Sequence, residues 1–373
     1  MERQTTLSTR DQRGPNTEEK VICGVLGAGW WATYAHIPAL LSHPKAQLVA
    51  IQKRDAEEAK KVASDFKIPR AVTSVEELLA IEGMRAIVVS SSPNVHYAHA
   101  AAALRKGIHV LVEKPMTITA QQAKELVEMA EANKAQLLIS CPWHYTQHGQ
   151  QARRLINSNR LGRIRMISIL MTNPVAQLLR GESTRPTHSQ QFYLSPRQGT
   201  YSDPSIAGGG QIYTQVSHVA AYLTFLTGAR PAEVFARFHN DGSLLDIYDT
   251  LSVRLENECL VTIASTGATA LEQRDYEVRV FGTEAVLFLD LWRGHMRLVG
   301  LNGEVTSFPD LEEPEIYPGL APAQNLIDSV FDPSQNLSPG SLGLAAMEVI
   351  EAACQSAVSG QNVAVRSAAR ELR

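Results

Sequence analysis

The chain has 373 residues, of which 44% are hydrophobic and 20% charged, and its formal net charge at pH 7 is -3. This length and ordinary composition predict a globular protein with two domains. The balanced charge argues against nucleic acid and anionic membranes as partners, and no apolar run is long enough to span a bilayer.

Residues 1–19 form a polar segment. It has neither the apolar run of a signal peptide nor a twin-arginine pair, so we interpret it as a disordered tail of a cytoplasmic protein. The four cysteines, Cys23, Cys141, Cys259 and Cys354, form no C-x-x-C pair. That spacing fits a reducing compartment and argues against a thiolate zinc site. No histidine or carboxylate cluster has the spacing of metal ligands, so we predict no metal.

Residues 20–141 alternate between apolar runs and segments with helical periodicity. The runs are rich in Val, Ile and Leu without polar alternation, as in strands covered on both faces; they span 21–26, 46–52, 85–91, 109–113 and 136–140. Alternation of this kind predicts a doubly wound parallel sheet, that is, a dinucleotide-binding Rossmann domain.

The pattern changes after Cys141, and the sequence of residues 142–373 predicts a second, α+β domain. A strand over 163–172 precedes a long irregular stretch, 173–207, and a helix that starts at the glycines 208–210 and continues to about Phe225. Five β-rich runs follow, many joined by short turns, which predicts a large, open and mainly antiparallel sheet; they span 232–240, 248–257, 259–268, 276–282 and 285–292. Two helical segments close the chain, and their position allows them to pack back on the first domain.

The first strand runs directly into a glycine-rich motif, G-x-G-x-x-A, that opens a helix. Gly27 permits a tight turn, Gly29 allows the backbone to approach a pyrophosphate, and Ala32 allows close packing of helix on strand. The helix N-terminus attracts the phosphates. We therefore predict a dinucleotide site at Gly27, Ala28, Gly29, Trp30 and Trp31. The alternative is a glycine-rich turn that binds no ligand.

The second strand ends in Gln52, Lys53 and Arg54, where NAD-specific sites place a carboxylate for the ribose 2′-hydroxyl. Two cations at this position favour a 2′-phosphate, and arginine binds phosphate in bidentate fashion. We therefore predict NADP(H) in preference to NAD(H). In the alternative interpretation the two cations are solvated and Asp55 only caps the next helix.

The fourth strand ends in "EKP", with Glu113 and Lys114 at its carboxyl end and Pro115 ending the ladder. Ligands of open α/β sheets bind at this edge. Burial beside a nicotinamide is expected to lower the pKa of Lys114, so that it exchanges a proton with a sugar hydroxyl. The alternative is a lysine that extends to water.

The segment "GGGQIYTQVSH" carries a short polar stripe at the start of an apolar helix. Helical spacing places Gln211, Thr214, Gln215 and His218 on one face, and because the stripe ends after His218 it indicates a pocket rather than a solvated surface. The positive helix end favours a neutral histidine. A core histidine bonded to a backbone carbonyl is the alternative.

Further candidates follow the fifth strand and lie in the long irregular stretch. Trp143, His144 and Tyr145 are placed at the domain junction, where they either contact a sugar ring or seal the interface. The stretch 173–207 contributes Tyr201 together with several arginines. It is interpreted as a lid or as a segment that reaches a neighbouring subunit; its arginines either bind an anionic substrate or are solvated.

These motifs together resemble those of the Gfo/Idh/MocA family of oxidoreductases, most specifically in "EKP". The resemblance covers nearly the whole chain from about Val21 and implies NAD(H)- or NADP(H)-dependent chemistry on sugars, cyclitols and related polyols. It implies that Lys114 is the catalytic lysine, that His218 is its partner, and that Glu113 lies near the cofactor ribose. The cofactor site then also includes Ser91, Pro93, Asn94 and His96.

One position departs from that family pattern. Many relatives carry an aspartate four residues before the histidine, where this chain has Thr214. A hydroxyl cannot act as a carboxylate base near neutral pH, so proton transfer is assigned to Lys114 and His218, with Thr214 and Gln215 orienting hydroxyls.

The sequence thus predicts a cytoplasmic NAD(P)-dependent oxidoreductase for a secondary alcohol or ketone of a sugar, glycoside or cyclitol. The resemblance also implies a homodimer or homotetramer, because the family's open sheet often serves in oligomer contacts. Two alternatives stay open: a glycosidase that uses transient NAD-dependent oxidation, and a non-catalytic protein that senses the cofactor.

Overall fold

Six parallel strands form the sheet of the first domain in the computed structural model, which describes residues 19–182, 192–270 and 273–365. They are β1 (Val21–Leu26), β2 (Ala46–Gln52), β3 (Arg70–Val72), β4 (Met84–Val89), β5 (His109–Val112) and β6 (Leu137–Ile139). Their order is β3-β2-β1-β4-β5-β6, so β2 and β3 are added on one side of β1, and β4, β5 and β6 on the other. This switch leaves a crevice at the carboxyl ends of β1 and β4. The predicted Rossmann fold is confirmed, with β3 added as a three-residue, half-exposed strand too short to show a pattern.

Helices cover both faces of this sheet. A π-helical turn, Ala32–His36, leads into α1 (Ile37–Ser42), and α2 (Ala56–Asp65), α3 (Val75–Leu79), α4 (Pro93–Leu104) and α5 (Ala120–Ala132) follow. The Asp55 side chain accepts a hydrogen bond from Glu58 N and so caps α2. The cap proposed for Asp55 therefore exists, whatever Lys53 and Arg54 bind.

The second domain is built on a nine-stranded mixed sheet. Its strands are β7 (Ile164–Thr172), β8 (Pro231–His239), β9 (Tyr248–Leu255), β10 (Leu260–Thr266), β11 (Asp275–Gly282), β12 (Ala285–Asp290), β13 (His295–Gly300), β14 (Val305–Ser307) and β15 (Val363–Ala364). The order is β14-β13-β12-β11-β7-β10-β9-β8-β15, and β7 pairs with β10 in parallel while the other pairs are antiparallel. The mainly antiparallel prediction is confirmed; β13, β14 and β15 were not predicted.

The helices of the second domain connect it to the first. They are α6 (Gln147–Asn157), α7 (Ala176–Leu179), α8 (Gln198–Ser202), α9 (Pro204–Ala207), α10 (Gln211–Thr214), α11 (Val216–Thr227), α12 (Ala321–Phe331) and α13 (Gly340–Ser359), with 3-10 turns at Pro142–Tyr145 and Pro333–Gln335. In α12, Leu326 and Ile327 are fully buried in the same apolar cluster as β1 and β2. A closing helix therefore packs back on the first domain.

The helix predicted from the glycines is broken in two. Gln215 separates α10 from α11 with φ -119 and ψ -42, and α11 ends at Gly228 in the left-handed conformation. The glycines permit a close approach, because a Cβ on Gly210 would lie 2.2 Å from the carbonyl oxygen of Asp246. The Asp246 carboxylate accepts hydrogen bonds from Gly210 N (2.9 Å) and Ile212 N (2.7 Å). These hydrogen bonds fix the start of α10 to the loop before β9.

Four observations concern membrane spans, metal ligands, the cysteines and the N-terminal tail. Among the described residues no helix has the length and apolarity that crossing a membrane requires. The same residues contain no group of three or more His, Cys, Asp or Glu side chains arranged to hold a metal ion. The four cysteines are free. The predicted tail lies outside the described residues except for residue 19.

Candidate active site

A cavity of about 1240 Å³ lies between the two domains, at the carboxyl ends of β1, β4 and β5. Most of the residues predicted for the site line it: Gly27, Ala28, Gly29, Trp30, Trp31, Lys53, Arg54, Ser91, Pro93, Asn94, His96, Glu113, Lys114, Trp143, Tyr201, Thr214, Gln215 and His218. The fold therefore brings together segments that are up to 190 residues apart in the sequence.

The glycine loop after β1 has the shape that a dinucleotide requires. Gly27 has φ +85, and a Cβ there would lie 2.5 Å from the backbone of Ser91, so no other residue fits without a shift of the chain. A Cβ on Gly29 would meet nothing closer than 3.9 Å. Gly29 thus leaves open space on the cavity side, where a pyrophosphate approaches in sites of this kind. The residues present fit a bound dinucleotide.

Cations and a carboxylate meet at the end of the cavity that follows β2. Lys53 Nζ lies 3.0 Å from Glu58 Oε2 and 3.3 Å from the carbonyl oxygen of Ala28. Arg197, from the segment before α8, donates to the same Glu58 oxygen at 2.7 Å. The hydrogen bond from Lys53 lowers the pKa of Glu58. Sequence reasoning missed Glu58 and the contact of Arg197, because no local pattern joins them to Lys53.

Glu113 is held in place by a buried histidine. Its Oε1 lies 2.8 Å from His36 Nε2, and its Oε2 accepts a hydrogen bond from Lys114 N at 3.1 Å. Burial opposes ionisation of Glu113, but His36 and Lys114 outweigh it and hold the pKa of Glu113 below its usual value. His36 was not predicted, since it is separated from Glu113 by 77 positions and carries no motif.

Lys114 connects the two domains across the cavity. Its Nζ donates a hydrogen bond to the carbonyl oxygen of Thr214 at 3.0 Å. Burial lowers the pKa of Lys114, and the charge of Glu113 partly opposes that shift. A lysine of lowered pKa takes up and releases a proton at a lower pH than a solvated lysine.

His218 lies on α11 and lines the same cavity as Lys114. Its ring packs edge-on against Trp143 with 5.2 Å between centroids. Its Nδ1 is buried without a hydrogen-bond partner among the described residues, which leaves Nε2 to reach a ligand. Burial, reinforced by Lys114 and His144, holds the pKa of His218 well below 6.5. The imidazole is therefore neutral at physiological pH.

Three predicted substrate residues do not line the cavity. His144 Nδ1 pairs with Ser338 Oγ at 2.8 Å, and its ring stacks on Phe225. Tyr145 donates to Asn325 Oδ1 at 3.2 Å. Gln211 faces the second sheet, where it donates to Ser265 Oγ at 2.9 Å. The kink at Gln215 turns Gln211 away from the face that a single straight helix predicts.

The two remaining polar residues of the broken helix face the cavity differently. Thr214 lines it, but its hydroxyl donates to the carbonyl oxygen of Gly210 at 2.9 Å, within its own helix. Gln215 lines the cavity at the kink. Tyr201 accepts a hydrogen bond from Trp30 Nε1 at 3.0 Å, which joins the segment after residue 192 to the glycine loop. Arg185, one of the arginines predicted in the stretch 173–207, lies outside the described residues.

Several lining residues were not predicted because they converge only in the folded chain. Trp292 follows β12, and Tyr317 and Arg274 come from separate loops, yet all three line the cavity beside Trp143. Aromatic residues of this kind look like core residues in the sequence. They reach the cavity only because the second sheet folds against the first domain.

Fold and cavity together define a two-domain dinucleotide-binding protein, in which a sheet domain completes a pocket on a Rossmann domain. Residues 21–140 match the model of the oxidoreductase family with an NAD-binding Rossmann fold, and residues 150–288 match the GFO/IDH/MocA C-terminal domain. The chain belongs to the Gfo/Idh/MocA family, which confirms the resemblance seen in its motifs.

Curated relatives cover different parts of the chain. A 1,5-anhydro-D-fructose reductase from Ensifer adhaerens is 29% identical over 270 residues, which are 71% of this chain and 74% of that protein. A dTDP-3,4-didehydro-2,6-dideoxy-alpha-D-glucose 3-reductase from Streptomyces antibioticus is 36% identical over 152 residues, 40% of this chain and 46% of that protein. An uncharacterized oxidoreductase of Synechocystis sp. is 30% identical over 212 residues, 57% of this chain and 52% of that protein. The chain therefore spans about half the length of several relatives it matches.

Solved structures share the whole architecture. A levoglucosan dehydrogenase in complex with NADH and L-sorbose has a TM-score of 0.79 at 16% identity, with 94% of this chain and 100% of that chain covered. GenD2 from gentamicin A biosynthesis, in complex with NAD, has a TM-score of 0.76 at 20% identity, with 96% and 100% covered. At such identities the likeness shows the fold alone.

Proposed function

We propose that the protein is an NAD(P)-dependent oxidoreductase that transfers hydride between nicotinamide and a secondary alcohol or ketone of a sugar, glycoside or cyclitol. The observation that carries the proposal is that Lys114 and His218 line the same cavity as the glycine loop, with Lys114 bonded to Thr214, four residues before His218. The names of the relatives, a 1,5-anhydro-D-fructose reductase and a levoglucosan dehydrogenase among them, support a sugar substrate.

Each residue then has a distinct task. The bound nicotinamide supplies the hydride acceptor or donor. In the oxidation direction neutral Lys114 accepts the hydroxyl proton, and neutral His218 holds the same oxygen or shares the proton through Nε2. Glu113, fixed by His36, orients the backbone of Lys114 and faces the cofactor end of the cavity. Thr214 positions Lys114 through its carbonyl oxygen.

The direct test is a screen of sugars and cyclitols in which reduced nicotinamide is followed by absorbance, with NAD⁺ and NADP⁺ side by side. Net reduction that depends on one substrate class is the expected result. Binding of the cofactor without turnover of any substrate would contradict an enzymatic role and favour a cofactor-sensing protein.

We further propose that NADP(H) is the preferred cofactor, bound at its 2′-phosphate by Lys53, Arg54 and Arg197. Glu58 opposes this preference, because its carboxylate already neutralises Lys53 and Arg197. Replacement of Glu58 by glutamine is therefore expected to tighten binding of NADP⁺ several-fold relative to NAD⁺, since two cations lose their internal partner.

The dissociation constants of both cofactors, measured by quenching of tryptophan fluorescence, test that preference. Glu57→Gln is the matched control, since Glu57 is exposed on the same helix and pairs with Lys60 instead. Tighter binding of NAD⁺ than of NADP⁺ by the unaltered protein would show the NADP preference to be wrong. An unchanged ratio in Glu58→Gln would remove Lys53 and Arg197 from the site.

The pH dependence follows from the state of Lys114. For alcohol oxidation kcat/KM is expected to rise with pH and level off below 10.5, the usual lysine value, because burial lowers the pKa of Lys114 and only the neutral amine accepts a proton. Ketone reduction needs the protonated amine and is expected to fall over the same interval. His218 contributes no inflection near neutrality, since its pKa lies well below 6.5. Rate profiles in both directions measure this; parallel profiles would contradict the assignment.

A further inference from the structure

An aromatic wall lines the cavity beside His218. It consists of Trp143, Trp292 and Tyr317, all of which line the cavity. Ring centroids are 5.1 Å apart for Trp143 and Trp292, 4.9 Å for Trp143 and Tyr317, and 5.4 Å for Trp292 and Tyr317. Because Trp143 also contacts His218, the wall starts at the reacting end of the site. Trp143 meets the other two rings edge-on, and Trp292 and Tyr317 are stacked on each other. Aromatic side chains that line a pocket pack against the C–H faces of a sugar ring.

The wall ends in a cation. The guanidinium of Arg274 lies over the Trp292 ring, 5.2 Å from its centroid, and lines the cavity. This cation–π contact restrains the position of the guanidinium group. Arg274 is half-buried, and among the described residues it forms neither a hydrogen bond nor an ion pair, apart from the ring contact.

The neighbouring arginines of the second sheet are different. Arg293 pairs with Asp275 at 2.9 Å and with Asp290 at 2.8 Å, so the carboxylate next to Arg274 in the sequence is already bound. Arg279 pairs with Glu277 at 3.0 Å. Arg274 is thus the arginine of this region whose charge faces the cavity and is left to a ligand.

The carboxylates of the cavity lining do not neutralise Arg274 either. Glu113 is paired with His36, Glu58 with Lys53 and Arg197, and Asp55 caps α2. The fourth, Glu313, is exposed, and over the described ranges no ion pair joins it to Arg274. The end of the cavity beyond the aromatic wall therefore carries a fixed positive charge that has no internal counter-ion in the described part of the chain.

We propose that the substrate is an anionic sugar, whose ring packs on Trp143, Trp292 and Tyr317 while its carboxylate or phosphate binds Arg274. The proposal rests on the function proposed above and narrows its substrate class. A planar guanidinium matches both anions with two parallel hydrogen bonds, and the partly buried site strengthens them. Arg274 is accordingly a specificity-determining residue and takes no part in hydride or proton transfer.

The test compares one hexose in three cyclic forms, D-glucose, D-glucuronate and D-glucose 6-phosphate, and repeats the set with the galactose series. Binding to the cofactor-saturated protein is measured by calorimetry. At least one anionic form is expected to bind about tenfold to a hundredfold more tightly than its neutral parent, as for a charge-assisted pair. Comparison of the affinities of the carboxylates and the phosphates shows which of the two anionic groups Arg274 binds more tightly.

Variants at two arginines complete the test. Arg274→Gln is expected to abolish the preference for the anion and to leave binding of the neutral sugar unchanged, whereas Arg274→Lys keeps part of it. Arg279→Gln, on β11, which begins directly after Arg274, but paired with Glu277, is expected to behave like the unaltered protein. Equal binding of anionic and neutral forms, or a preference that survives in Arg274→Gln, would overturn the proposal. An Arg274-dependent preference without any net change of nicotinamide would instead contradict the proposed oxidoreductase function.

Discussion

Replacement of Lys114 by methionine is expected to lower kcat by about a hundredfold to ten-thousandfold, the range for loss of a positioned general acid or base. Methionine keeps an unbranched side chain that lacks only the terminal nitrogen, so it carries no exchangeable proton and no donor to the carbonyl oxygen of Thr214. KM is expected to change much less, since the aromatic wall and the cofactor loop stay intact. Steady-state rates at saturating cofactor and substrate measure the effect.

A structural role for Lys114 makes a different prediction. If the lysine only joined the two domains through Thr214, Lys114→Met would lower the melting temperature and weaken cofactor binding together with activity. We expect cofactor affinity to stay within a few-fold of the original value and the pH inflection of the oxidation reaction to disappear. Lys106→Met is the control, because Lys106 is exposed at the end of α4. Retention of most activity in Lys114→Met would remove the residue from the reaction.

The second large effect is expected at the glycine loop, where Gly27 and Gly29 have separable roles. Gly27→Ala places a Cβ 2.5 Å from the Ser91 backbone at φ +85, so it is expected to cost about 1 to 3 kcal/mol of stability and to displace the loop. Gly29→Ala introduces a Cβ into open space, where its nearest neighbour is 3.9 Å away. Its stability is expected to stay unchanged, but its methyl group occupies the approach of the pyrophosphate.

Both variants are therefore expected to bind cofactor at least tenfold more weakly, while only Gly27→Ala unfolds more easily. Thermal unfolding and cofactor titration of the two proteins measure this, with Gly199→Ala as the control, since a Cβ on Gly199 meets nothing within 4 Å. Unchanged cofactor affinity in Gly29→Ala would show that the pyrophosphate does not approach this loop.

The first domain could be predicted from the sequence because its signals are local. Buried parallel strands appear as uninterrupted apolar runs, and the G-x-G-x-x-A motif marks the loop after β1. Among its strands only β3 was not predicted, because three half-exposed residues show no periodicity. The same holds for Lys114 and His218, which were found from motifs next to a strand end and a glycine run.

The rest of the site depends on tertiary contacts that no local pattern encodes. Helical spacing alone assigned Gln211 to the cavity. This assignment is wrong because the kink at Gln215 turns Gln211 toward Ser265. His144 and Tyr145 follow the same strand as Trp143, yet hydrogen bonds to Ser338 and Asn325 hold them within the protein. The pairing of Lys53 with Glu58, and the meeting of Arg274 with Trp292, required the folded chain.

The most direct measurement of the central claim is the stoichiometry of nicotinamide during turnover. Incubated with a sugar substrate and excess oxidised cofactor, the protein is expected to produce one reduced nicotinamide for each ketone formed, and Lys114→Met is expected to produce almost none. Cleavage of a glycosidic bond without accumulation of reduced cofactor would contradict the account and show transient oxidation instead. Cofactor binding without any product would contradict it as well.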